Sequence, residues 1–298
     1  VTLQAQRISF AHVRRTDGAM PRLTVLDSLP RDRGSDADAL ARLRRSMGLQ
    51  RYRCTTLLDA AAYQFVQVNA PAVPADELKS ALRWAIKDSL DFPAEQALID
   101  VLQVPADGAP PGRPPLAFAV AARREKVADR VRCFQRAGVR LQVIDIVEAA
   151  QRNVAALFEQ PGRGLALLAF HEHGGLLTFT RDGELFAARH IDITPDAFAD
   201  DADTSRRDAA FERVGLETQR SLDNFDRQFS QIALQRLLVA SPAGALALTN
   251  YLAQNLYLPV EASDLSTVID VGEFKSLQDP GEQARWLAAI GIALRQDD

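Results

Sequence analysis

The sequence predicts an α/β protein built from two lobes. Strand-like and helix-like patterns alternate along the chain, and each half opens with short strands in hairpin order and ends in helices, as a duplicated architecture would. The segment Pro161-Gly162-Arg163-Gly164 is rich in turn residues and separates the halves. We expect a first lobe over residues 1–161, a second over residues 162–298, and a small α+β subdomain inserted into the first at about residues 71–146.

The elements of the first lobe follow from alternation and from helix-cap signals. Alternating residues predict strands at 7–14, 23–26, 51–58 and 63–68. Ser35 is a candidate N-cap for a helix that is apolar on one side and rich in arginine on the other.

The inserted subdomain is predicted as helix, strand, strand, helix and strand. Its strands fall at residues 97–104, 116–121 and 141–146, and its second helix runs over 124–137 before Gly138, a signal for a helix C-cap. The proline-rich stretch that follows residue 104 is predicted to be a stiff, solvated turn rather than a ligand for a proline-binding module.

The first helix of the subdomain has an apolar stripe and one aromatic residue off that stripe. The stripe residues recur at spacings of three and four and are expected on one buried face: Leu78, Leu82, Ala85, Ile86 and Leu90. Pro93 is the predicted stop, because the residue before a proline disfavours helical angles. Trp84 lies off the stripe, so its indole either packs under a neighbouring subdomain or serves a partner.

The second lobe is predicted to begin with a hairpin-linked sheet and to continue in helices. After a helix at 147–158 come strands at 165–170, 176–180 and 184–190, and the pair Asp182-Gly183 predicts a tight turn between the last two. The remaining elements are a long helix with an apolar stripe from Phe211 to Ile232, a strand at 237–240, a helix at 243–254, a strand near 260, and a final helix capped by Asp279.

Composition favours a globular protein and argues against several classes of function. The chain has 298 residues, is 47% hydrophobic and 25% charged, and carries a formal net charge of −4. That balance argues against a dedicated nucleic-acid surface. No run of 18 apolar residues and no signal-peptide pattern is present, so we expect a chain that neither spans a membrane nor is exported. Cys54 and Cys133 are expected to be reduced thiols in the cytoplasm.

Three segments carry a family resemblance. They are residues 81–93 (ALRWAIKDSLDFP), residues 215–225 (GLETQRSLDNF) and residues 288–295 (AAIGIALR). In this order they resemble PilM, MshI and the cytoplasmic part of GspL, which are proteins of type IV pilus and type II secretion assembly. The resemblance implies a two-lobed actin-like fold of the ribonuclease-H-like class, in which nucleotide binds between the lobes.

The resemblance also identifies the positions where actin-like ATPases hold nucleotide. Each lobe contributes a hairpin that reads Asp-x-Gly-x-Ser/Thr, and a Gly-Gly turn packs on the adenosine. The corresponding residues here are Thr2 and Gln4 in the first hairpin, Ala169 and His171 in the second, and Ser241, Pro242 and Gly244 in the adenosine-side turn.

These departures predict a degenerate ATPase site. A carboxylate replaced by alanine, as at Ala169, removes the metal anchor, and a side chain at His171 fills space that the phosphate needs. We therefore expect a protein that is not an enzyme and has no cofactor, with ATP and Mg²⁺ disfavoured. A competing zinc site at His171 and His173, with Glu172 or His190, is the weaker hypothesis, because it has no third ligand of known geometry.

The resemblance implies a scaffold role in pilus assembly. It is most like MshI of the mannose-sensitive haemagglutinin (MSHA) pilus, and the degenerate hairpins fit MshI-like and GspL-like members better than PilM proteins, which keep the aspartates. The expected partners are the cytoplasmic tail of a PilN-like membrane protein and other proteins of the assembly platform, and the expected location is the cytoplasmic side of the inner membrane. Trp84 and Lys87 are the predicted contacts for the tail, since both leave the apolar stripe.

Other hypotheses remain open at this stage. The chain could be an ATP-binding switch protein of the PilM type, or a GspL-like component of a type II secretion system. The basic residues Arg42, Arg44 and Arg45 are either a solvated helix face or a docking surface for an acidic partner or the anionic inner leaflet.

Overall fold

The structure is a computed structural model that describes residues 1–31, 34–106, 114–199 and 203–296. Residues 107–113 of the predicted proline-rich loop lie outside the described residues. The strands are β1 (Thr2–Leu3), β2 (Arg7–Arg14), β3 (Arg22–Pro30), β4 (Cys54–Leu57), β5 (Tyr63–Asn69), β6 (Ala97–Gln103), β7 (Leu116–Arg123), β8 (Leu141–Asp145), β9 (Gly164–His171), β10 (Gly174–Arg181), β11 (Glu184–Ile191), β12 (Leu234–Ala240) and β13 (Val260–Ala262). The helices are α1 (Asp36–Met47), α2 (Ala75–Ile86), α3 (Arg124–Arg136), α4 (Val147–Phe158), α5 (Thr204–Gln228), α6 (Ala245–Asn255) and α7 (Pro280–Ala293).

The strands pair in the orders β1-β2-β3, β4-β8, β5-β7-β6 and β11-β10-β9-β12-β13. In the five-stranded sheet, β9, β10 and β11 are antiparallel neighbours, whereas β12 is parallel to both β9 and β13. The predicted Asp-Gly hairpin is confirmed. Arg181 pairs with Glu184, and both turn residues between them have positive φ, 52° at Asp182 and 78° at Gly183, as a type I′ turn requires.

The chain forms two compact units. Unit 1 contains residues 1, 3–8 and 29–147, and unit 2 contains residues 2, 9–28 and 148–298. This grouping differs from the predicted lobes, because residues 9–28 belong with the second half of the chain. The units are defined by which residues pack together, whereas the lobes are defined by duplication, so the lobe boundaries stay a prediction.

In unit 2 the five-stranded sheet is covered on both faces, which explains why all but the last residue of β9 and of β10 are buried. On one face, alternate residues of β9 pack with α4 and α7 in a core that includes Leu165, Leu167 and Ala169. Gly291 of α7 lies so close to α4 that a Cβ there would be 2.2 Å from the Ala150 carbonyl oxygen. On the other face are the ring pairs Phe170–Phe198, Phe179–Phe225 and Phe186–Phe229.

In unit 1 the small antiparallel sheet β5-β7-β6 carries α2. Leu78, Leu82 and Ile86 pack against apolar residues of this sheet. The expectation that Ala85 shares this buried face is wrong, because Ala85 is exposed. The sheet covers only the side of the helix that carries Leu78, Leu82 and Ile86, which are spaced four residues apart. The helix also ends earlier than Pro93 predicts. A 3₁₀ turn over Lys87–Ser89 follows Ile86, and Leu90 has extended backbone angles.

Candidate functional site

The β9–β10 hairpin contains the predicted metal and phosphate positions of the second half. Ala169 pairs with Leu176 and His171 pairs with Gly174, so a two-residue turn of Glu172 and His173 joins the strands. Ala169 is 1% exposed and belongs to the apolar core between β9, α4 and α7. Its side chain therefore faces packed hydrocarbon, where a carboxylate would lose its hydration.

His171 is tied to a buried glutamine of α4. Its Nε2 lies 3.3 Å from Gln151 Oε1, and Gln151 Nε2 donates to the Leu167 and Leu176 carbonyls at 2.8 and 2.9 Å and to Thr178 Oγ1 at 3.0 Å. Because the amide nitrogen serves these oxygens, Oε1 accepts from the imidazole, so the proton of the neutral ring is on Nε2.

The electrostatics of this position favour the neutral imidazole. Burial lowers the pKa of His171 to about 4, and the neighbouring His190 and His173 act in the same direction. A neutral ring with Nε2–H engaged offers no positive charge to a phosphate. The position that a glycine occupies in actin-like ATPases therefore carries a half-buried side chain that is bonded to α4 here.

A second polar contact connects α4 to β11. His190 Nε2 lies 2.8 Å from Glu148 Oε1, and the Glu148 side chain is fully buried while that of His190 is 56% exposed. Glu148 and Gln151 are three residues apart and project from the same side of α4 toward the sheet. Together they fix the helix against the strands that carry the hairpin.

The adenosine-side turn connects β12 to α6, and its polar groups bond within the turn. Ser241 is buried, and its hydroxyl donates to the Ala243 carbonyl at 2.6 Å. Pro242 has no N–H to offer a ligand. Gly244 has φ of 59°, and a Cβ there would be 2.5 Å from the Phe198 carbonyl oxygen. Gly244 is thus required by a left-handed conformation and by close packing.

The first hairpin contains the remaining predicted positions. Thr2 lies in β1 and is 4% exposed. The Gln4 N–H donates to the Arg7 carbonyl at 2.9 Å, and Gln4 Oε1 accepts from Arg7 Nε at 2.9 Å. The backbone N–H at the glycine position of the motif is therefore used by the turn itself.

The geometry around His171 and His173 does not favour the competing zinc hypothesis. His171 Nε2 is engaged by Gln151, while His173 is exposed. In the described ranges of the chain, no three His, Cys, Asp or Glu side chains come together as a metal site would need.

The predicted partner contacts lie on the outer side of α2. Trp84 is 72% exposed, so its indole is not packed under a neighbouring subdomain, and its contact with a partner stays a prediction. Lys87 Nζ is 6.0 Å from the centre of the Trp84 ring, at the outer limit for a cation–π contact. An exposed indole beside a lysine can bind an apolar side chain and an acidic group together.

Sequence reasoning identified His171 but missed its partner Gln151, and it missed the pair of Glu148 and His190. The available signal was the spacing of Glu148 and Gln151 among the apolar residues of a helix, which places two polar groups on a buried face. The strand residues that receive them could not be found from spacing, because they are up to 42 residues away in sequence.

Comparison with solved structures gives the class of fold. The chain is 22% identical to a chain of a PilM–PilN type IV pilus biogenesis complex, with a TM-score of 0.74 over 99% of this chain and 96% of the other. A Bacteroides thetaiotaomicron protein with an actin-like ATPase fold is 8% identical, with a TM-score of 0.50 over 97% and 96%. The cytoplasmic domain of EpsL from the Vibrio cholerae type II secretion system is 12% identical, with a TM-score of 0.49 over 98% and 97%. The protein has the actin-like fold that the resemblance implied.

The family follows from the sequence itself. The family model described as type IV pilus assembly protein PilM matches residues 2–165, more than half of the chain, and the chain belongs to this family. Comparison with curated protein sequences finds no match. Within the described residues, every helix is too short or too polar to cross a bilayer.

Proposed function

We propose that this protein is a non-catalytic scaffold of a type IV pilus assembly platform. The observation that carries the proposal is the state of the β9–β10 hairpin. Ala169 stands where an ATPase needs its metal-binding carboxylate, and it is buried in an apolar core. His171 stands at the phosphate-binding glycine and is held neutral by burial and by Gln151. A site with neither metal anchor nor phosphate cradle supports no phosphoryl transfer.

The other two nucleotide positions favour the same conclusion. Pro242 removes a backbone donor from the adenosine-side turn, and Ser241 bonds within that turn. Gln4 uses its own N–H in the first hairpin. In the proposed role, the protein uses the surfaces of an ATPase fold to bind partners and does not use its nucleotide site. The loss of both hairpin aspartates favours an MshI-like member that serves an MSHA-type pilus.

The partner we propose is the cytoplasmic tail of a PilN-like inner-membrane protein, and other platform proteins would join this complex on the cytoplasmic side of the inner membrane. Support comes from family membership and from the fold shared with a PilM–PilN complex. On this chain, the exposed indole of Trp84 with Lys87 beside it is the surface best suited to anchor a short peptide. Buried aromatic anchors dominate the affinity of many such interfaces.

The test is a titration of the protein with a labelled peptide that carries the cytoplasmic tail sequence of a PilN-like protein, measured by fluorescence anisotropy. We expect Trp84→Ala to weaken binding about 10- to 100-fold while leaving the free energy of unfolding unchanged, because the indole is 72% exposed. Leu246→Ala is the matched control, since this side chain is 70% exposed elsewhere on the protein. Equal affinities of all three proteins for the peptide would refute the assignment of Trp84.

The two rivals make different predictions. A PilM-type ATP switch must bind Mg-ATP, which the β9–β10 hairpin disfavours. A GspL-like protein must bind a secretion ATPase instead of a PilN-like tail, so a peptide that does not bind, combined with binding of that ATPase, would favour it.

A further inference from the structure

Unit 1 has one end at which the connecting segments are rich in arginine. Two connecting segments meet there: residues 44–53 run from the last turn of α1 to β4, and residues 135–141 run from the last turn of α3 to β8. Neither segment contains an aspartate or a glutamate. The arginine surface, as we name it, consists of Arg44, Arg45, Arg51, Arg53, Arg136 and Arg140, all of which are exposed.

The contacts of the backbone bring these six residues together. β4 and β8 are parallel and begin side by side, with Cys54 paired to Leu141 and the Cys54 N–H bonded to the Arg140 carbonyl at 3.4 Å. Arg44 reaches across from α1 to the C-terminal cap of α3, where its Nη1 is 3.3 Å from the position of a Cβ on Gly138. The two segments thus form one continuous surface.

The six arginines differ from neighbouring arginines in their ion pairing. Among the described residues, no carboxylate forms an ion pair with any of the six arginines, whereas Arg31 and Arg132 nearby in sequence are paired with Asp36 and Asp129. Arg44, Arg45 and Arg136 lie in last helical turns, where the negative end of the helix dipole stabilises a basic side chain and so explains its presence. The helix dipoles do not explain the presence of Arg51, Arg53 and Arg140, which lie beyond both α-helices.

The apolar residues of the same segments are buried or half-buried. Leu49, Ala137 and Val139 are at most 6% exposed, and Met47, Tyr52 and Leu141 are half-buried, so no apolar side chain of the two segments stands exposed as an anchor. A protein partner ordinarily needs such an anchor at the centre of its interface, and a single-stranded nucleic acid needs aromatic side chains on which to stack. A layer of phosphate groups needs only charge and the bidentate donors of guanidinium.

We propose that the arginine surface docks on an anionic phospholipid bilayer. Clusters of four to eight basic residues bind such surfaces, and each contributes roughly a fivefold gain in partitioning. Because screening limits the attraction to about 10 Å, the net charge of −4 on the chain as a whole does not prevent one cationic end from binding. This inference rests on the arginines alone and does not require the PilN-like partner.

The test is co-sedimentation of the full chain with protein-free vesicles of phosphatidylcholine alone or with about one-third phosphatidylglycerol, at low and high salt. The charge-reversal variant Arg51→Glu/Arg53→Glu/Arg140→Glu avoids the last turns of the helices. Its matched control, Arg163→Glu/Arg206→Glu/Arg213→Glu, makes the same change of net charge at exposed arginines in unit 2. Circular dichroism melts establish that both variants are folded.

We expect the wild type and the control to bind the anionic vesicles, with binding lost at high salt, and the charge-reversal variant to bind at least about 100-fold more weakly. Equal losses in both triple variants, or equal binding to neutral vesicles, would overturn the proposal. So would tight binding to polyglutamate or single-stranded DNA without binding to anionic vesicles, which would assign the surface to a soluble polyanion. None of these outcomes depends on tail binding at Trp84.

Discussion

The β9–β10 hairpin and helix α2 carry the two predicted sites. The site residues of the hairpin are buried or half-buried, whereas those of α2 are exposed to solvent. In the hairpin, Ala169 is buried in an apolar core and His171 is bonded to Gln151. On α2, three apolar residues reach the sheet while Trp84 stays 72% exposed. The first region uses its polar groups to hold the fold together, and the second keeps an aromatic group in solvent. This contrast is the basis of the scaffold role that we propose.

Returning a carboxylate to the hairpin is the most direct test of this difference between the two regions. Ala169→Asp places an unpaired charge in the core of unit 2, so we expect the free energy of unfolding to fall by about 3–5 kcal/mol. Urea denaturation measures the change. The control is Ala209→Asp on the exposed side of α5, which should change stability by less than about 0.5 kcal/mol. A stable Ala169→Asp variant that gains Mg²⁺ binding would mean that this position faces an open site.

The next effect is expected from removing the amide that joins α4 to the hairpin. Gln151→Ala leaves the buried Leu167 and Leu176 carbonyls without their side-chain donor and opens a cavity, so stability should fall by about 3 kcal/mol. Gln135→Ala, at an exposed helical position, is the control and should be neutral. If both variants unfold at the same urea concentration, the network does not stabilise the hairpin.

The fold was largely predictable from the sequence, and the sites were predictable only in part. Periodic apolar residues and the Asp182-Gly183 turn predicted the sheet and helices of unit 2, because the spacing of apolar residues along the chain reflects which face of each element is buried. The same spacing placed Ala85 on the buried face of α2 wrongly, since the width of a buried face depends on the sheet that covers it. The resemblance marked His171, but its bond to Gln151 depends on how α4 crosses the sheet, which no local pattern records.

The smallest expected effect is a pH dependence that separates His171 from the exposed histidines. Its pKa is lowered from 6.5 to about 4 in the folded protein, so the unfolded chain binds a proton in this range that the folded chain does not. Stability is therefore present above pH 6.5 and is lost as the pH falls. Between pH 7 and pH 5 the loss should be about 2 kcal/mol.

The variant His171→Gln isolates this contribution, because its amide can still donate to Gln151 Oε1 but does not titrate. Denaturation curves of both proteins across this pH range should differ in slope, with the variant less sensitive to acid. Parallel curves would show that His171 is protonated equally in the folded and unfolded states, and the interior position assigned to it would be wrong.

The central claim, that the actin-like site no longer binds nucleotide, is tested by calorimetric titration of the wild-type protein with Mg-ATP. We expect no measurable heat of binding at ATP concentrations that saturate a micromolar site, alongside measurable binding of the tail peptide by the same sample. A micromolar dissociation constant for Mg-ATP, about −8 kcal/mol, would contradict it. ATP would then be a ligand of this protein in spite of Ala169 and His171.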